Sequence, residues 1–532
     1  MILRTAPPQR DGHGRAMRNL AAAALRSGNL SGARQMLHDL VAEDPSDADA
    51  LQMLAEIAVA DGALEQATVL LRRAVAADPS TRRRIALVLH LQRFARPAVA
   101  LQEIEQLPQA VRDEFEIRSI EAALLGVLGM HERQIGLYKA MARERPSQPA
   151  LWVSLGNALK TFGRTDEAVT ALRRALKAAP AHGDAWWTLA NFKSFKFSAS
   201  DIARMREALR GKISDDDSAR IHFALGKAYE DSGKYEESFA HYAAGNEIRA
   251  RDFPPEDVGV SKLVDESIAT FDRGFFERTR DFGCRDEGPI FVIGLNRSGS
   301  TLIEQILASH PLVEGTTELV VMKSISERLA RSTGKTAAAA IAALEPAALR
   351  AIGEEYLDRT RAFRQTDRPY FVDKMPANWT HLPLIRAALP NARIVDARRH
   401  PLACGFSNFK QYYASGAGFS YRLESIGKFY RDYWRFMRHF EAVQPGIVCR
   451  MINEELIDQP EQQVRRLLDH LGLPFEASCL EFHKNERAVR TPSAEQVRRP
   501  INREGVDSWR HFEPWLGELK EALGPALDSW AE

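Results

Sequence analysis

Apolar positions in the first half of the chain recur at helical spacing, and the pattern itself recurs. Trp152, Leu155 and Leu159 share one helix face; after a turn at Gly163, Ala168, Leu172 and Ala175 share another. Pro45, Pro79, Pro146 and Pro180 are separated by 34, 67 and 34 residues. Gly28, Gly62, Gly129, Gly163 and Gly233 are separated by 34, 67, 34 and 70. A period near 34 predicts a solenoid of paired helices. The residue types suit that geometry. Gly156 and Ala168 are small where paired helices must touch, Gly163 occupies the turn, and Pro180 ends the second helix because it has no N–H to donate. The units around 80–113 and 190–220 are degenerate. The aromatic and leucine positions of the array read as inter-helix core.

The pattern changes after residue 251. Pro254-Pro255 and the mixed acidic and aromatic stretch near Phe271 to Phe276 predict a connecting helix and linker over 252–286. Beyond it, short apolar runs alternate with helical stretches. The runs are Ile290 to Ile293, Phe371 to Lys374, Arg393 to Arg399 and Gly446 to Ile452, the last preceding a helix at about 459–472. Such alternation predicts a parallel α/β sheet. The expected organisation is an array over 15–251, a linker over 252–286 and an α/β domain over 287–532. Ligands of parallel sheets bind beyond the carboxyl ends of the strands, where Arg297, Lys374 and Arg399 all fall.

Composition narrows the function classes. At 532 residues the chain is too long for one core. Its formal net charge of +1 supplies no global attraction to nucleic acid or to a membrane surface, so any anion site must be built locally. No run of 18 apolar residues predicts a membrane span, and Met1 to Arg18 has no signal-type apolar stretch. Cys284, Cys404, Cys449 and Cys479 lack metal-site spacing, which favours reduced thiols and a cytoplasmic setting. No acidic cluster suggests a metal.

The most specific chemistry lies in Gly294-Leu-Asn-Arg-Ser-Gly-Ser-Thr-Leu302. A strand, a tight loop and a helix start would aim backbone N–H groups and the positive end of a helix dipole at an anion. Gly294 and Gly299 keep the spacing of a nucleotide phosphate loop. Ser300, however, replaces the lysine that reaches the terminal phosphates in kinases and NTPases. The loop's cation is Arg297. A nucleotide kinase is therefore the weaker of two enzyme readings, and a repeat scaffold with a nucleotide-sensing domain is a third, non-catalytic one.

Two resemblances sharpen these expectations. Trp152, Leu155, Gly156, Leu159, Gly163, Ala168, Leu172, Ala175 and Pro180 resemble the tetratricopeptide (TPR) pattern, with Leu159 for the usual Tyr and Leu172 for the usual Phe; 15–251 would hold six or seven units. Residues 288–512 resemble sulfotransferases that use 3′-phosphoadenosine 5′-phosphosulfate (PAPS), especially bacterial TPR-linked forms and, more remotely, tyrosylprotein sulfotransferases. Arg297-Ser-Gly-Ser-Thr301 is similar to the 5′-phosphosulfate loop, and Arg399-His-Pro401 with Ser407 to the 3′-phosphate motif. The resemblance implies that Arg297, Ser298, Gly299, Ser300, Thr301, Lys374, Arg399 and Ser407 bind PAPS. It also implies that Lys374 and Arg297 stabilise the leaving oxygen, and that Glu318 is the general base for a hydroxyl acceptor. His381, in Thr380-His-Leu-Pro383, is the rival base. Ser493 resembles a serine that assists the phosphosulfate. Arg503-Glu-Gly505 with Trp509 resembles a loop that closes over the nucleotide, with Glu504 where that loop carries Lys. The acceptor could be a peptide tyrosine, a sugar or a small metabolite, and the TPR groove a seat for a peptide or protein partner.

Overall fold

The computed structural model describes residues 10–531 apart from 62, 94–95, 193, 255–259, 317, 414–416, 486 and 488–495. The chain divides into two compact units, 1–137 and 138–532.

The first unit is helical. Helices Leu30–Glu43, Ala48–Ala60, Leu64–Ala77 and Thr81–Arg93 succeed one another. They bury Leu37, Leu51, Leu54, Leu71, Leu87 and Val88 in one core. The second unit continues with helix pairs, including Pro149–Thr161 with Thr165–Ala178 and Asp215–Asp231 with Tyr235–Ala250. The periodic glycines serve as expected. Gly28, Gly129, Gly163 and Gly233 all have φ between 71° and 82°, a left-handed conformation that costs an L-residue roughly 1–2 kcal/mol. Gly62 lies outside the described residues. A Cβ on Gly156 would sit 2.8 Å from the Leu172 side chain, so the helices of that pair cross at the glycine. One link recurs that sequence reading missed: Trp152 and Trp186 each donate their indole N–H to the carbonyl of the proline six residues earlier, Pro146 and Pro180, at 2.9 Å.

Helices Ser261–Thr270 and Arg273–Thr279 follow. They pack against the long helix Leu423–Val443 through Arg435–Asp265 at 2.7 Å and the Phe276–Phe440 ring pair.

The sheet has five parallel strands: β1 (Pro289–Gly294), β2 (Val313–Gly315), β3 (Tyr370–Lys374), β4 (Arg393–Arg398) and β5 (Val448–Ile452). Their order is β2-β3-β1-β4-β5. Alternation gives it two covered faces. Ile290, Val292, Val372, Val395 and Met451 pack against helices Ser300–Ala308 and Pro460–His470. Phe291, Asp373 and Asp396 face Tyr356 and Tyr433 on the other side. The three adjacent central strands β3, β1 and β4 end at or just before Lys374, Arg297 and Arg399. Among the described residues, no helix is long and apolar enough to cross a membrane.

Candidate anion-binding and transfer site

The loop after β1 is built from backbone conformations that few residues adopt. Gly294 has φ 139°, Arg297 φ 68° and Gly299 φ 99°. A Cβ on Gly294 would lie 2.4 Å from the Ala397 carbonyl oxygen, and one on Gly299 would lie 2.5 Å from Asn453 Oδ1. The glycines are therefore needed both for turning and for close approach. Arg297 is the described non-glycine residue with positive φ, a strain of the sort that gathers at functional sites. Ser298, Ser300 and Thr301 are buried where the helix Ser300–Ala308 begins. Ser298 Oγ is buried without a hydrogen-bond partner.

The helix Pro401–Phe409 locks this loop from the side. Asn408 Nδ2 donates to the Asn296 carbonyl at 2.8 Å, and Cys404 Sγ reaches the same oxygen at 3.4 Å. Burial pushes the Cys404 thiol up to about 12, so it stays a donor rather than a nucleophile. Tyr413 donates to Asn408 Oδ1 at 2.8 Å, and burial raises its hydroxyl above the ordinary phenol value. Ser407 lies two turns into the helix, and its Oγ accepts from Arg297 Nε at 3.0 Å.

Arg399 completes the corner. Its Nη1 donates to the Arg297 carbonyl at 3.3 Å and its Nη2 to the Gly505 carbonyl, while its Nε has no partner. Its bonds thus go to neutral carbonyls, and burial lowers its pKa. Arg399 is hydrogen-bonded to no carboxylate, although the charge of nearby Glu454 reaches it, and its open Nε is suited to an incoming anion. The segment holding Gly505 is brought to it, and Trp509 stacks on His400 with ring centroids 5.1 Å apart. Arg398 behaves as alternation requires: it turns away to a buried pair with Asp396 at 2.8 Å.

Lys374 ends β3, 1% exposed, between two carboxylates. It donates to Glu318 Oε1, and Glu304 Oε2 stands 3.8 Å away. Glu318 is 47% exposed and Glu304 3%. Glu304 in turn accepts from Arg487 Nη2 at 2.8 Å. Sequence reading missed both. Glu304 looks like an ordinary polar position on a helix, and Arg487 stands 183 residues away from it. Asp373 points to the opposite sheet face. Burial raises its carboxyl to about 7, and Tyr356 donates to it at 2.8 Å. His381 is pushed down to about 4, chiefly by burial and secondarily by Lys323. Ser493 lies outside the described residues, as does Thr317.

The structure thus joins Arg297, Ser407 and Arg399 in one contact chain and pairs Lys374 with Glu318. The orphaned Ser298 Oγ and the unpartnered Arg399 Nε leave hydrogen-bonding capacity unused beside the glycine-built loop.

A model of the sulfotransferase family matches residues 289–477. Tetratricopeptide repeat models match 24–91, 149–192 and 219–252. The chain therefore carries a TPR-repeat region and a sulfotransferase-like domain. It is 32% identical over 314 residues to an uncharacterized protein of Aquifex aeolicus, a match covering 57% of this chain and 41% of that one. The chain thus spans well under two thirds of that relative. It is 24% identical over 231 residues to a Caenorhabditis briggsae chain named "Putative protein-tyrosine sulfotransferase", covering 41% of this chain and 80% of that one. A solved sulfotransferase domain from the Synechococcus PCC 7002 olefin synthase aligns at 22% identity and a TM-score of 0.32, covering 42% of this chain and 88% of that domain.

Proposed function

We propose that the chain is a PAPS-dependent sulfotransferase acting on a hydroxyl acceptor. The observation that carries this reading is the joined corner of Arg297, Ser407 and Arg399 beside the Gly294–Thr301 loop. A donor with a phosphosulfate and a 3′-phosphate requires two anion subsites, and the unpartnered Ser298 Oγ at the loop and Arg399 Nε at the helix support that reading.

The loop N–H groups, Ser300 and Thr301 bind and orient the phosphosulfate. Arg399 and Ser407 hold the 3′-phosphate. The acceptor oxygen forms its bond to sulfur as the bond from sulfur to the bridging oxygen breaks, and the nucleotide bisphosphate departs. Lys374 and Arg297 neutralise the charge growing on that bridging oxygen, which is where electrostatic stabilisation counts. Glu318 is the base. Its exposed carboxylate can reach an entering hydroxyl, and its partner Lys374 is the group drawn to the leaving oxygen. His381, whose basicity burial lowers, is the rival acceptor. The TPR repeats serve to bind a peptide or protein acceptor or partner.

Calorimetry with 3′-phosphoadenosine 5′-phosphate and with ATP tests the donor. The 3′-phosphate ligand should bind far more tightly, each lost charge-assisted contact costing roughly 1.5–3 kcal/mol; equal affinities would reject the reading. For the base, Glu318→Gln should keep nucleotide binding while turnover of labelled PAPS falls roughly 10²–10⁴-fold. A milder loss than in His381→Asn would move the base to His381.

A further inference from the structure

Four charges meet behind the transfer site, and two of them have no part in the chemistry above. Lys374 lies between Glu318 and Glu304, and Glu304 lies between Lys374 and Arg487. The two cations balance the two carboxylates. The carboxylates differ in freedom: Glu318 is half-exposed on a loop before helix Val321–Thr333, whereas Glu304 is buried on the helix that the phosphate loop begins. Arg487 is itself fixed. Its Nη1 donates to Gln305 Oε1 at 2.6 Å and its Nη2 to the Thr316 carbonyl at 2.7 Å. Gly315 lies against it, since a Cβ there would come 2.8 Å from its guanidinium carbon. Glu304 therefore holds its place when Glu318 moves or takes a proton.

We infer that Glu304 is a positioning residue for sulfuryl transfer: held by Arg487, it keeps the Lys374 ammonium in place while Glu318 leaves that pair to act on the acceptor. This rests on the sulfotransferase reading. A buried ammonium that loses its mobile counter-ion needs a fixed one, because an unpaired charge in that setting is strongly disfavoured. Arg487 keeps the second carboxylate from adding net negative charge beside an anionic donor. The two residues should accordingly leave different kinetic marks. Loss of the Glu304 charge acts on turnover, and loss of the Arg487 charge acts on donor affinity.

The test is a double-mutant cycle on the full chain, with labelled PAPS for turnover and 3′-phosphoadenosine 5′-phosphate for binding. Glu304→Gln is expected to lower kcat about tenfold or more with bisphosphate affinity nearly unchanged, and to cost nothing further in a Lys374→Ala background. Glu304→Asp is expected to recover part of the loss. Arg487→Gln is expected to weaken bisphosphate binding more than it lowers kcat. A kcat within twofold of wild type in Glu304→Gln, or an equal loss in both backgrounds, would overturn the inference. Should Glu304→Gln fail to fold, Glu304→Asp in the two backgrounds decides by the same criterion. A wild-type chain that transfers nothing from PAPS would overturn the functional reading, and this inference with it. Normal wild-type turnover with an additive cycle overturns this inference alone.

Discussion

At the scale of single residues, the loop shows how tightly its backbone is specified. Gly299 combines φ 99° with Asn453 Oδ1 at 2.5 Å from any added Cβ. Gly299→Ala is expected to abolish measurable nucleotide binding while leaving the far-ultraviolet helix signal unchanged; binding retained within a few-fold would show that the loop tolerates a different path. Asp373 gives a pH prediction. Folded, its carboxyl keeps its proton to about 7; unfolded, it releases it near 3.8. Between those values the folded state holds the extra proton, so the residue's stabilisation declines as pH rises through the window and is lost above it. Asp373→Asn removes the titration. Its melting temperature is expected to exceed that of wild type by a margin that widens from about pH 4 to about pH 7 and then stays level. A margin independent of pH would mean that the buried carboxyl is already ionised at low pH.

At the scale of elements, most of the sheet was legible and one strand was not. The runs Ile290 to Ile293, Phe371 to Lys374, Arg393 to Arg399 and Gly446 to Ile452 read as strands because short, largely apolar stretches alternate with helical ones. Val313–Gly315 was silent because three residues carry no periodicity. Arg297, Ser407 and Arg399 were legible from local motifs, and the structure brings them into contact. Glu304 and Arg487 were not, because their meaning lies in a pairing across distant sequence. The same holds for Asn246, whose Nδ2 donates to the Phe409 carbonyl at 2.7 Å. That carbonyl is among the last of helix Pro401–Phe409 and has no partner within the helix. Asn246→Ala leaves it unsatisfied at a cost of about 1–3 kcal/mol. The variant is expected to melt lower and, because Ser407 is on that helix, to bind the bisphosphate less tightly. A lower melting temperature with unchanged affinity would confine Asn246 to a structural part.

At the scale of the molecule, the later repeats and the α/β domain belong to one unit. Tyr412 donates to Asp216 and lies among Trp187 and Phe223, with ring centroids 6.2 and 5.7 Å away. Lys410 pairs with Glu230 at 2.7 Å, and Phe239 stacks on Phe409 and Trp515. A chain begun at residue 287 would expose this aromatic face, and it is expected to aggregate or to melt well below the full-length protein by light scattering and calorimetry. A well-folded, active truncation would show that the face is not needed. The seam also bears on engineering. Phe409, Lys410 and Tyr412 lie just beyond Ser407 and take partners from the array, so the α/β domain is not a free-standing cassette. A graft of it onto another repeat array is expected to need counterparts of Asp216, Glu230 and Asn246.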